Sequence, residues 1–181
     1  MDKKEARRAG LDARSALSAS SRKQYSHRIF LKLKGRLDHV SSIGIYVSIQ
    51  DEVETEEIIQ YCFDHGIHVH VPKVEGKNIH FYEIHAFSDL IPGVWSIPEP
   101  YGTEPETDPS SIDWMLVPLS AFDAAHHRTG YGAGYYDRIL PYCRHKTGIA
   151  FSVQEVDDIE TDPWDEDLDE IMVQSQNVCI E

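Results

Sequence analysis

Apolar and polar residues follow two different periods along this chain, and the changes of period divide it into elements. From Lys3 to Leu17 the chain is rich in Ala, Arg, Lys and Leu, which predicts a helix. Ser18 or Ser20 stands where an N-cap would open a second helix running to about Leu37. The run Ile43-Gly-Ile-Tyr-Val-Ser48 predicts a strand. Thr55 to Asp64 predicts a helix, with Thr55 as its N-cap and Gly66 as its stop. Val69 to Val71 reads as a strand ended by Pro72, and Ile79 to Ile84 as another with imperfect alternation. Pro92 to Pro109 is rich in proline, glycine and acid and reads as an ordered loop or a mobile flap. Trp114-Met-Leu-Val117, just before Pro118, has the character of a short buried strand. Tyr135 to Cys143 predicts a helix, and Thr147 to Phe151 and Ile171 to Gln174 predict two final strands. Strands alternating with helices imply an α/β fold: a mainly parallel sheet with helices on both faces. With no internal repeat and no linker, residues 1–181 read as a single domain.

Composition narrows the function. The net charge of −14 argues against broad nucleic-acid or anionic-membrane binding. It leaves room for an anionic small molecule, provided a few cations gather in one place. Cys62, Cys143 and Cys179 are far apart and form no CxxC pair, which argues against a zinc site or a disulfide framework. The ten histidines contain no HExxH. The N-terminus is charged from Asp2 onward, and no apolar run is long enough to span a bilayer, so a cytoplasmic location is expected.

The chemistry concentrates in Phe122 to Leu140. There Arg128-Thr-Gly-Tyr-Gly-Ala-Gly-Tyr-Tyr-Asp137 sets three alternating glycines between a cation and a carboxylate. Successive exposed amides can form an anion-binding nest, and a following helix N-terminus would add positive potential. Arg128 offers a planar fork suited to phosphate oxygens on an exposed loop. Asp137 offers hard oxygens suited to Mg²⁺. The glycines alone favour a plain surface turn with tyrosines packed on its flanks. The preceding strand and following helix favour a ligand site, since open α/β sheets place ligands beyond their strands' carboxyl ends. The loop is neither GxxxxGK[ST] nor GxGxxG, so it would be a nucleotide site of another kind.

Two further groups stand out. In Ser48-Ile-Gln-Asp-Glu-Val-Glu-Thr-Glu-Glu57, the acids Glu54, Glu56 and Glu57 suit a helix N-terminus, whereas Glu52 precedes the cap and could face a ligand. Lys3 and Arg7 share a helix face, which by spacing alone is an ordinary solvated surface. Trp95 could be a core or flap aromatic, or a platform for a flat ligand. Glu155 to Glu170 carries ten acids and no lysine or arginine, mostly a solvated stretch, though one or two could meet a cation near Asp137.

In order and spacing these segments resemble the 5-formyltetrahydrofolate cyclo-ligase family, the methenyltetrahydrofolate synthetases. The resemblance rests on Lys3, Arg7, Arg14 and Leu17-Ser18, on Ser48 to Glu57, and on Trp95-Ser-Ile-Pro-Glu-Pro100. It continues through Pro118-Leu-Ser-Ala-Phe-Asp123, Arg128 to Arg138, and Trp164-Asp165 before Leu168-Asp169. It implies an ATP-dependent conversion of 5-formyltetrahydrofolate, with or without a polyglutamate tail, to 5,10-methenyltetrahydrofolate, with Mg²⁺. No nucleic acid, membrane or obligate protein partner is implied. Carried over by position, Lys3, Arg7 and the run Arg128, Thr129, Gly130, Tyr131, Gly132, Ala133, Gly134, Tyr135 and Tyr136 would bind ATP, with Arg128 catalytic. Val47 and Glu52, with Tyr131, Gly132, Ala133 and Gly134, would hold the folate, and Asp137 and Asp165 the metal. Three positions depart from the family pattern. Thr129 replaces a usual leucine, Ala133 stands where relatives carry lysine or glycine, and Gln174 strays from a threonine-containing end. A folate- or nucleotide-binding relative without turnover is the alternative, and the presence of both Arg128 and Asp137 weighs against it.

Overall fold

The computed structural model describes residues 1–175, so Cys179 lies outside the described residues. Helix α1 (Lys3–Ser15) starts where Asp2 accepts a hydrogen bond from the Glu5 amide at 2.8 Å. Helix α2 (Ala19–Leu37) starts where Ser18 accepts one from the Ser21 amide at 3.0 Å, so Ser18 and not Ser20 is the cap. Each side chain satisfies an amide that has no partner inside its helix. Next come β1 (Ser42–Ile45), α3 (Glu56–Asp64), β2 (His68–Glu75) and β3 (Asn78–Ile84). Strands β4 (Leu90–Pro92) and β5 (Pro98–Pro100) form a small hairpin that starts just before the segment expected to be a loop and runs into it. After β6 (Trp114–Val117), a second small hairpin joins β7 (Ala121–Phe122) to β8 (Arg128–Thr129). Strands β9 (Lys146–Ile149) and β10 (Glu170–Met172) complete the series.

The central sheet runs β10-β9-β6-β1-β2-β3, parallel throughout except where β3 turns back antiparallel to β2. Alternate residues of a strand point to opposite faces, and β6 divides accordingly. Trp114 and Leu116 join Ile29 and Leu33 of α2 and Ile58 and Ile59 of α3 in one core. Met115 and Val117 join Phe81, Leu119, Leu140 and Leu168 in the other. Nine residues are too few for a helix to stand alone in water, so α3 depends on burying Ile58, Ile59 and Cys62 completely. Each such aliphatic side chain contributes roughly 1.5–3 kcal/mol.

Three local expectations give way to specific contacts. Thr55 precedes α3, but its hydroxyl does not cap the helix. It donates to the Tyr46 carbonyl at 2.9 Å and accepts from the Ser48 amide at 3.0 Å, pinning the start of α3 to the chain leaving β1. Strand β2 runs through Pro72 to Glu75 because β1 pairs with it only as far as His70. At Pro72 that edge carries no ladder needing an amide. The helix expected from Tyr135 to Cys143 is instead two single 3₁₀ turns, Tyr136–Arg138 and Leu140–Tyr142. Pro141 has no N–H to continue a helix, and its ring would strike the carbonyl four residues back. Among the described residues no helix is long and apolar enough to cross a membrane.

Candidate active site

The chain leaves β1 and β6 side by side at the carboxyl edge of the sheet, the rim where open parallel sheets collect ligands. A cavity of about 820 Å³ opens there, within the range of small-molecule sites. Its lining includes Lys3, Arg7, Val47, Glu52, the whole run Arg128 to Asp137, and Asp165. Four segments far apart in sequence therefore meet on one space.

Helix α1 reaches this rim because Gly10 lets it press against the chain after β6. A Cβ at residue 10 would lie 2.0 Å from the Ser120 carbonyl oxygen, so no other residue fits without moving the helix. On α1, Lys3, Arg7 and Arg14 all face the cavity. Arg7 Nε donates to the Gly130 carbonyl at 3.1 Å. Ser120 Oγ contacts the same carbonyl at 2.7 Å, and its amide donates to the Thr129 carbonyl at 2.8 Å. Thr129, almost fully buried, thus serves to anchor the loop. Beyond that anchor Gly132 and Gly134 adopt φ of +99° and +71°, the left-handed region that side chains resist. Such alternation is how consecutive amides are turned toward an anion. No α-helix follows, so the positive potential expected from a helix N-terminus gives way to that of the amides and nearby cations.

Arg128 is not on an exposed surface: its side chain is 4% accessible. Nη2 donates to the Pro118 carbonyl and Nη1 to Asp137 Oδ1, both at a long 3.3 Å, and Nε has no partner. The buried hydroxyl of Tyr136, whose ring lies 5.9 Å from the guanidinium, also lacks one. Burial pushes the Arg128 pKa down, opposed by Asp137, and a guanidinium still keeps its charge. Leaving a buried donor unmatched costs about 1–3 kcal/mol. The cavity thus holds a cation without its full set of acceptors.

At one end Lys3 Nζ lies 2.7 Å from Asp162 Oδ2 and 2.6 Å from Asp165 Oδ2. Burial would lower the Lys3 pKa, but the two carboxylates outweigh it and hold it up. Burial likewise works against the charge of Asp165, and Lys3 prevails, keeping its pKa low. At the other end Arg14 donates to Asp51 and to the Tyr131 hydroxyl, each at 2.9 Å. Tyr131 in turn donates to Glu52 Oε2 at 2.9 Å, and the Ile49 amide donates to Glu52 Oε1 at the same distance. Burial raises the Glu52 pKa against the pull of these donors and Arg14.

Trp95 is 74% exposed with φ of 54°, so it belongs to the rim and not the core. Trp164, 73% exposed, lines the same cavity. Arg14 and His127 also line it without having been expected there. Arg14 could have been found, since Lys3, Arg7 and Arg14 fall within roughly 40° of one another at about 100° per residue. Ala133 brings no side-chain donor, which leaves the cations around it to neutralise an anion. Gln174 plays a structural part, bonding the Ser152 amide at 2.9 Å and hydroxyl at 2.8 Å and so fastening the chain after β10.

Among the described residues no group of three or more histidines, cysteines or carboxylates is close enough to form a metal cage. The donor set suits a cation that arrives with phosphates, because Mg²⁺ needs only one or two protein carboxylates when phosphate oxygens and water supply the rest. Asp137, 44% exposed and only loosely held by Arg128, is the carboxylate of the glycine loop.

Comparison with known proteins places this geometry. The model of the 5-formyltetrahydrofolate cyclo-ligase family matches residues 1–174. This chain belongs to that family. A 5-formyltetrahydrofolate cyclo-ligase of Mycoplasma pneumoniae is 32% identical over 181 residues, covering 95% of this chain and 98% of the relative. The cyclo-ligase of Mus musculus is 31% identical over 174 residues, covering 87% and 86%. The 5,10-methenyltetrahydrofolate synthetase of Aquifex aeolicus superimposes with a TM-score of 0.84 at 30% identity, over 95% of this chain and 89% of that one. The family match thus spans the whole cavity lining, from Lys3 to Asp167.

Proposed function

We propose that this chain converts 5-formyltetrahydrofolate to 5,10-methenyltetrahydrofolate, consuming ATP and releasing ADP and phosphate. The observation that carries the reading is Arg128, a buried guanidinium without its full set of acceptors, beside a glycine loop and facing the same cavity as Glu52. A formamide carbon is a weak electrophile and its oxygen a poor leaving group. Transfer of the γ-phosphoryl group to the formyl oxygen, with the N5 lone pair forming a C=N5 bond, makes that oxygen a leaving group. N10 then attacks the carbon, the C–O bond breaks, phosphate departs, and the N10 proton is released.

This chemistry needs positioning and charge neutralisation more than a protein nucleophile. Arg128 would meet the charge on the transferring phosphoryl group, with Lys3, Arg7 and the amides of Gly132 to Gly134 on the remaining phosphates. Glu52 would accept the pterin's N–H donors, with Val47 packing beside them. Asp137 and Asp165 would hold Mg²⁺, which supplies charge neutralisation on the phosphates when bound. For Asp165 this requires Lys3 to turn toward the nucleotide. Trp95 and Trp164 would close the rim. The reading places the enzyme in the cytoplasm, with no nucleic-acid, membrane or obligate protein partner.

The test is the growth of the methenyl product's absorbance band. It should require ATP, Mg²⁺ and 5-formyltetrahydrofolate together and vanish when any one is omitted. A folded sample that makes no product with all three present refutes the proposal.

A further inference from the structure

The glycine loop and the carboxylate expected to hold the pterin are linked through one side chain. Tyr131 sits between Gly130 and Gly132, so the loop backbone decides where its ring lies. Its hydroxyl accepts from Arg14 Nη1 at 2.9 Å and donates to Glu52 Oε2 at 2.9 Å, across 79 residues of sequence. The guanidinium of Arg14 also lies 5.8 Å from the centre of the Tyr131 ring. Glu52 is fixed from its other side by the Ile49 amide on Oε1.

An ionised carboxylate has about four acceptor sites. With one site on each oxygen taken, one on each remains free, the arrangement a flat ligand edge with two adjacent donors requires. We infer that Tyr131 is a positioning residue that couples the two substrate subsites, so that nucleotide on the glycine loop and folate on Glu52 strengthen each other's binding. The inference rests on the function proposed above.

The coupling follows from what each ligand fixes. Phosphates held by Arg7 and by the amides around Gly132 and Gly134 would fix the loop, and the loop would fix Tyr131. A fixed Tyr131 keeps Glu52 oriented and ionised. Burial drives Glu52 toward its protonated form, and the hydrogen bond from Tyr131 is among the contacts opposing that drive. A protonated acid loses an acceptor site and can no longer receive two donors side by side. Folate bound to Glu52 would hold Tyr131 in return, and linkage makes the two effects equal.

Calorimetric titration of the whole protein with 5-formyltetrahydrofolate tests this, with and without Mg²⁺ and a β,γ-imido ATP analogue that cannot transfer phosphate. In the unmodified protein the analogue should lower the folate Kd about five-fold or more, and folate should lower the analogue's Kd by the same factor. Tyr131→Phe keeps the ring and removes the hydroxyl, so its ratio of the two Kd values should fall to about one. The protein should stay folded, with a melting temperature lowered by several degrees because Arg14 and Glu52 each lose a partner. Tyr131→Leu should lose the coupling to the same extent. Folate binding by Tyr131→Phe should also fail at higher pH than in the unmodified protein, because Glu52 takes up its proton earlier. A wild-type ratio in Tyr131→Phe, or an unmoved pH profile, overturns the inference. Binding of both ligands to the unmodified protein without coupling overturns it while leaving the proposed function standing. Failure of either ligand to bind at all overturns both.

Discussion

Gly10→Ala is the smallest change that should disable this site without touching a ligand. The added methyl would lie 2.0 Å from the Ser120 carbonyl oxygen and 2.8 Å from Ala121 Cβ. The nearer obstacle is backbone and cannot rotate away. Restoring an ordinary 3.4 Å contact moves α1 by about 1.4 Å relative to the chain after β6. Alanine improves helix propensity by about 1 kcal/mol. Overpacking costs about 1–3 kcal/mol, so the net effect should be a loss. The melting temperature should fall by a few degrees, at about 2–4 °C per kcal/mol for a chain of this size. Activity should suffer more, because α1 carries Lys3, Arg7 and Arg14, and a misplacement of about 1 Å can cost 100-fold in rate. The assay is kcat/KM from methenyl absorbance, beside thermal melting. Gly35→Ala in α2 is the control, since a Cβ there meets nothing within 4 Å. That variant should gain about 1 kcal/mol and keep full activity. If Gly10→Ala is stabilised like Gly35→Ala and turns over normally, the reasoning about α1 is wrong.

Arg128→Ala should cut turnover by about 10²–10³, the cost of removing one preorganised donor. The fold should survive with a melting temperature lowered by a few degrees, because the buried side chain's packing is lost while its hydrogen bonds are long and its Nε unmatched; a loss of turnover under ten-fold would take Arg128 out of the phosphate site. Asp137→Asn should raise the Mg²⁺ concentration giving half the maximal rate, and an unchanged Mg²⁺ dependence would count against a metal role. Glu170 accepts from Arg36 at 2.7 and 2.8 Å and lies 2.9 Å from His145 Nε2, and Arg36 chiefly holds its pKa down at about 2. A carboxylate whose pKa is lower folded than unfolded stabilises fully above its ordinary value of 4.5 and loses that contribution as pH falls toward 2. The melting deficit of Glu170→Gln should therefore be constant above pH 5 and shrink below it, and a deficit independent of pH would refute the assignment.

The α/β architecture is legible because most strands of the central sheet contain a short apolar run and each long helix opens at a side chain that can cap it. Ser18 shows where such reading stops, since Ser20 looks equally good until the Ser21 amide chooses between them. The 3₁₀ turns after the glycine loop resemble a helix in sequence because their periodicity outweighs one proline, Pro141. The β4–β5 hairpin is hidden by prolines at its own strand positions, Pro92, Pro98 and Pro100. In the site, residue types announce Arg128 and the glycines, but not that Arg128 is buried. That burial comes from packing among Pro118, Tyr136 and Asp137. Tyr131 can be placed on the loop but not against Glu52, because a contact spanning 79 residues leaves no local pattern. Arg14 does leave one, on the face of α1 already marked by Lys3 and Arg7.

The bond from Lys3 to Asp165 spans 162 residues. A ribosome releases α1 long before the carboxylate partner Asp165. At about 5–20 residues per second, roughly ten to thirty seconds separate the two. Throughout that interval Lys3, Arg7 and Arg14 have no finished cavity to face. Catalytic competence should therefore wait until Asp165 has left the ribosome.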